Sequence, residues 1–213
     1  MLRFRQTSIK PRKSPSQERS SALVDAILEA AIRVLLRDGY ARLTTTSIVE
    51  VAGVSVGSLY QYFPNKQAIL AEVIRLRADQ ILAQLGSIDV APGDRADEVA
   101  AKMIAAFLNE KRRMASLSLA LKEPMAEVDG RSIIRESLHK VHGAIAGLLS
   151  RSICRPLTDL ENRRLMVAMA AVEGAVSSAM ELDSDLLLSQ EFEVTLVRLF
   201  NAAVDLPDAD VLP

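Results

Sequence analysis

The sequence predicts an all-α protein of about nine helices, with a small N-terminal three-helix domain and a larger helical C-terminal one. Three observations carry this. Ala, Leu, Glu and Arg dominate the composition, and all four are good helix formers. The 9 Gly and 8 Pro fall mostly between stretches whose apolar residues recur every three to four positions. No stretch shows the strict alternation of a half-buried strand. At 213 residues, 49% apolar and 25% charged, the chain is long enough to bury a core and is composed like a globular protein.

The first helix is expected to start at Ser14-Pro15-Ser16-Gln17, with Ser as cap, Pro at the first helical position and Gln at the capping-box position. Leu23, Ile27, Ala31 and Val34 form its apolar stripe, and Asp38-Gly39 ends it. Thr44 opens a second, short helix with Ile48 and Val51 inward, broken at Gly53. Ser55 caps a third, Val56 to Phe63, which Pro64 stops. Asn65 caps a long fourth helix whose apolar positions are Ile69, Val73, Leu76, Ile81 and Leu85, and Gly86 and Pro92-Gly93 mark a boundary. Five more follow, over about 94–111, 113–122 (ended by Pro124), 131–153, 158–182 and from Asp183-Ser184 onward; Thr158-Asp159-Leu160-Glu161 is a capping box.

The expected domains are therefore a flexible basic arm (1–13), a three-helix domain (14–64), a linker helix (65–86) and a second helical domain (87–213). No apolar run long enough to span a bilayer is recognised, the N-terminus lacks the apolar core of a signal peptide, and the single Cys154 has no internal partner. A cytoplasmic protein is expected.

Charge is unevenly spread. Residues 1–77 hold 12 Lys/Arg against 6 Asp/Glu, a net +6, while the remainder is −7. Unless the unevenness is chance, the first third suits a polyanion. Arg3, Arg5, Lys10, Arg12 and Lys13 make residues 1–13 either a groove- or phosphate-binding arm or a solvated tail.

Residues 44–63, TTTSIVEVAGVSVGSLYQYF, read as a helix-turn-helix. Two short helices meet at Ala52-Gly53-Val54, where Gly53 permits a left-handed backbone. Ile48, Val51, Val54 and Leu59 pin them to the first helix, and the second of the pair is free to enter a major groove. The expected DNA-binding residues are Thr44, Thr45, Thr46, Ser55, Val56, Gly57, Ser58, Tyr60, Gln61, Tyr62 and Lys66. The tyrosine hydroxyls and Lys66 suit phosphates, Gln61 suits a base edge, and the small residues permit close approach.

The run from Gly39 to Leu70 resembles the N-terminal signature of the TetR family of bacterial regulators. Thr44, Ala52-Gly53-Val54, Ser55, Gly57, Ser58, Leu59, Tyr60, Tyr62, Phe63 and Lys66 match it. Val49 stands where Ala is usual, Ser47 where an acid is common and Gln61 where His is frequent. The resemblance covers about residues 20–70. It implies a dimeric, ligand-responsive regulator that binds a palindromic double-stranded DNA operator as a repressor and is released by a small-molecule effector. A regulator without an effector, or a protein-binding adaptor, are the alternatives.

The resemblance also implies a C-terminal domain that binds the effector and dimerises through its last two helices. Leu165–Met180 is almost wholly apolar or small, so burial on most faces is expected. Ala168, Ala171, Gly174, Ala175 and Ser178, with Phe192, Leu196, Leu199 and Phe200, are the expected dimer face. Candidate effector contacts are Met103, Phe107, Met125, Leu138, His142, Met166, Met169 and Glu173. Glu173 lines the cavity, pairs with an Arg across the dimer, or points outward. Few aromatics disfavour a cationic effector and suit an aliphatic, uncharged or weakly anionic one. His139 and His142 lack further ligands nearby, so no metal or other cofactor is expected. Lys111-Arg112-Arg113 complements a helix dipole. No nucleophile triad or phosphate loop points to an enzyme.

Overall fold

The computed structural model describes residues 18–127 and 130–206. The expected basic arm and the cap at Ser14–Gln17 lie outside the described residues. Ten α-helices and two 3-10 turns are present among those described, with no strand: α1 Glu18–Asp38, α2 Thr45–Ala52, α3 Val56–Tyr62, α4 Lys66–Gly86, α5 Ala96–Arg113, α6 Ala115–Ala120, α7 Lys122–Glu127, α8 Gly130–Ser152, α9 Asp159–Leu182 and α10 Gln190–Val204. The 3-10 turns are Tyr40–Arg42 and Ser184–Leu188.

The chain packs as two compact units. The first contains the chain through Arg77 and takes back Ser116–Arg135. Its core is built where the helical period puts apolar side chains on one face. Ile27, Ala31 and Val34 of α1 meet Ile48 of α2, Leu59 of α3, Phe63, and Ile69 and Leu70 of α4, all buried. Leu76, expected inward, is exposed. Arg77 is buried at the end of this stretch of α4, and its Nη2 donates to Ser118 Oγ at 3.4 Å, which ties α6 to α4.

The second unit contains Ala78–Ala115 and the chain from Glu136 onward. α10 packs along both α9 and α5. Val99 and Leu108 of α5, Leu149 of α8, Leu165 and Val176 of α9, and Leu196 and Phe200 of α10 are buried in one core.

Three expectations about elements are corrected. Pro124 does not end a helix but is the third residue of α7, in the first turn, where its missing N–H is no loss. Asp183-Ser184 starts a 3-10 turn rather than the last helix. Ser189 caps α10, its hydroxyl accepting from Phe192 N at 3.1 Å, because Leu187 is first drawn into the core. Finally, α9 is long and apolar enough, by length and composition alone, to cross a membrane. It is not buried on most faces: Leu165, Ala168, Val172, Val176 and Ala179 point into the core, while Met166 and Val167 are 61% and 64% exposed.

Candidate nucleic-acid interface

The interface starts from two capped helices and a glycine turn. Thr44 caps α2 reciprocally: its Oγ1 accepts from Ser47 N, and Thr44 N donates to Ser47 Oγ, both at 3.0 Å. Ser47, the departure from the usual acid, therefore supplies the second half of the capping box with a hydroxyl. Gly53 ends α2 at φ 66°, in the left-handed region that an L side chain disfavours. Ser55 then caps α3, its Oγ accepting from Ser58 N at 3.0 Å.

Helical spacing divides α3 into two faces. Leu59 and Tyr62, followed by Phe63, are buried. Val56, Gly57, Tyr60 and Gln61 are exposed, with Val56 at 51% and Tyr60 at 40%. Thr44, Thr46 and Ser55 are also exposed, and Thr45, Ser58 and Lys66 are half-buried. The expectation of an outward Tyr62 is corrected, because its ring sits three residues after Leu59 on the core side of the helix. A Cβ built on Gly57 would meet only Ser55 Oγ, at 3.8 Å. The fold itself does not require glycine there.

Two contacts brace this surface. The hydroxyls of Thr45 and Tyr60 are 3.3 Å apart, joining the start of α2 to α3. The Lys66 ammonium sits over the ring of Tyr40. Tyr40 escapes sequence reasoning because a lone aromatic in a loop carries no periodic signal.

The second unit distributes the other candidates. Met103 is core, and Phe107 and Met169 are partly buried against it. Leu138 and Met166 are 50% and 61% exposed on the outer faces of α8 and α9, so the expectation that they line a cavity of this unit is corrected. Met125's side chain lies outside the described residues. A hollow of about 140 Å³ opens elsewhere, beside Ala96, Leu149, Phe200 and Val204. His142 is half-buried with Nε2 3.4 Å from Asn162 O, and His139 is exposed. Among the described residues no group of three or more His, Cys, Asp or Glu is placed to hold a metal.

Glu173 pairs with Lys111 of α5, Nζ to Oε1 at 2.7 Å. The other two basic residues that end α5 are also held: Arg112 by Glu193 and by Leu187 O, Arg113 by Glu110. Of the expected dimer residues, Ala168, Phe192, Leu196 and Phe200 are buried within this one chain and have no surface left for a partner. Gly174, Ser178 and Leu199 remain exposed, and Ala171 and Ala175 are half-buried.

Residues 27–73 match the family described as bacterial regulatory proteins, tetR family. The chain is 34% identical over 83 residues to an uncharacterized HTH-type transcriptional regulator of Mycobacterium tuberculosis, a match covering 37% of this chain and 41% of that relative. Its fold is similar to that of a transcriptional regulator from Rhodococcus sp. RHA1, with TM-score 0.68, 20% identity, and 89% and 99% of the two chains covered. It is also similar to that of FadR from Bacillus subtilis in complex with stearoyl-CoA, with TM-score 0.57, 22% identity, and 88% and 99% covered. Through the helix-turn-helix and the helices that hold it, the chain belongs to the tetR family of bacterial regulatory proteins.

Proposed function

We propose that the protein is a homodimeric repressor that binds a palindromic operator through α3 and is released from it by a small molecule. The observation that carries the reading is the two-faced α3. Leu59, Tyr62 and Phe63 anchor it, and Val56, Gly57, Tyr60 and Gln61 stand free with a glycine that the fold does not need. A side chain missing without internal cause leaves room for another molecule to come close. The +6 charge of residues 1–77 makes a phosphate backbone the natural counterpart.

In this reading Gln61 touches a base edge, and Tyr60 and Lys66 touch phosphates. Tyr62 positions α3 from beneath. The second copy covers the open face of α9 and α10, where Met166, Val167, Gly174, Ser178, Val194 and Leu199 are exposed. An effector acts by favouring the arrangement of the dimer that binds DNA less well, and shifts affinity only by its preference between the two states.

The test is a mobility-shift assay on the promoter of the protein's own gene, with competitor DNA and a salt series. A sequence-specific shift is expected, steeply weakened by salt. Absence of a specific shift at every salt concentration overturns the reading. Tyr62→Phe should bind as the parent does, whereas Gln61→Ala should change base preference.

A further inference from the structure

The α5–α9 gap in the second unit has an unusual filling. Both helices lie close along α10, but their backbones stay apart from each other. Long side chains cross the space. Lys111 reaches Glu173 at 2.7 Å, and Ser177 Oγ donates to the same Glu173 oxygen at 3.3 Å. The Lys111 ammonium also sits 5.1 Å from the centre of the Phe107 ring. Phe107 and Met103 lie one and two turns back along α5, a stretch of about 11 Å, and Met169 lies one turn before Glu173 on α9. Flexible or ring side chains that fill a gap can rearrange around a guest more readily than close-packed backbone.

The ion pair itself is unequal. The Lys111 side chain is 14% exposed and that of Glu173 45% exposed. An ammonium held that deep must keep an anionic partner, because leaving it unpaired is costly. Glu173 is the member that can swing into water at little cost. Exchange of one carboxylate for another leaves Lys111 satisfied throughout.

The geometry points to the Lys111–Glu173 pair as the polar end of an effector site for an aliphatic carboxylate, whose head takes the place of Glu173 on Lys111 while its chain lies toward Phe107 and Met103. This rests on the reading of the second unit as the effector-binding part. It adds a ligand class, a residue (Lys111) and an exchange step. Glu173 is then a resident competitor that the ligand displaces, rather than a ligand contact.

The test is calorimetric titration of the full-length protein with decanoate, decanol and decanoyl-coenzyme A, in buffer where operator binding has first been measured. Decanoate should bind better than decanol. Glu173→Gln should tighten decanoate severalfold by removing the competitor, and Lys111→Met should weaken it by about tenfold or more. Decanol binding should be indifferent to both. Equal binding of decanol and decanoate overturns the inference. So does decanoate binding that Lys111→Met leaves unchanged, or a preference for the thioester that does not depend on Lys111. A protein that binds its operator but none of the three compounds overturns this inference alone. One that binds carboxylate through Lys111 but no operator overturns instead the reading as a repressor. Thermal melts of both variants without ligand exclude loss of fold as the cause.

Discussion

The ammonium of Lys66 stands 4.1 Å from the centre of the Tyr40 ring, at the start of α4. The ring, itself buried, holds the charge at the edge of the α2–α3 surface. Tyr40→Leu keeps the apolar filling but removes the π face. It should weaken operator binding by about two- to fivefold, the usual strength of an exposed cation–π contact. Lys66→Ala should weaken binding across all sequences and lower the salt slope by about one. The double variant should be no worse than Lys66→Ala alone. Fluorescence anisotropy at several salt concentrations measures all three, and additive losses would show that Tyr40 does not act through Lys66.

Gly57 separates folding from binding. Its backbone is helical and a Cβ meets only Ser55 Oγ, so Gly57→Ala should stabilise the protein by about 0.5–1 kcal/mol. The same methyl group lies on the exposed face of α3 and should weaken operator binding. A variant that melts higher and binds less is the expected pair of results. Unchanged affinity would remove α3 from the contact surface.

Glu161 at the start of α9 dictates an acid-sensitive part of stability. The Arg155 guanidinium, at 2.7 and 2.9 Å, lowers its pKa from 4.5 to about 2, against the opposing effect of burial and with help from the Thr158 N–H and hydroxyl. The folded pKa lies below the unfolded one, so this contribution is complete above about pH 4.5 and fades as pH falls toward 2. Glu161→Gln should cost on the order of 2 kcal/mol at pH 7, and the gap from the parent should close over that acid range. Denaturant melts across pH check it. A gap that is constant with pH would assign the loss to packing.

The open face of α9 and the core face of α10 predict opposite phenotypes. Val167→Arg, at a 64% exposed position, should give a monomer of unchanged helicity, read by light scattering and circular dichroism. Leu196→Ala, at a 1% exposed position, should cost about 2–5 kcal/mol of stability. Dimers that survive Val167→Arg would move the subunit contact elsewhere.

What was legible in the sequence is what local chemistry decides. Thr44, Gly53, Ser55, Asn65 and Thr158 each act within a few residues of their own position, and each caps or turns the chain where expected. Rotation around a helix is less legible when apolar residues are abundant. In the run from Leu165 to Met180 nearly every residue can be buried, so only packing reveals that Ala168 faces inward and Val167 outward. Phe192, Leu196 and Phe200 looked like a partner surface because the sequence does not say that α5 and α9 already cover them. Tyr62 followed the same pattern, its hydroxyl suggesting an outer face and its ring requiring an inner one. The partners of Lys111 and Arg112 lie more than sixty residues away, beyond any local rule.

The first unit is discontinuous, and its parts are separated by the whole of α5. On a ribosome, the helix-turn-helix emerges well before Ser118, the residue that receives the buried Arg77. A fragment that stops at Arg77 therefore ends on an arginine whose acceptor has not been made. The smallest piece that carries the complete unit extends to Arg135, so a shorter clone intended as a free DNA-binding domain begins with one of its interior contacts missing.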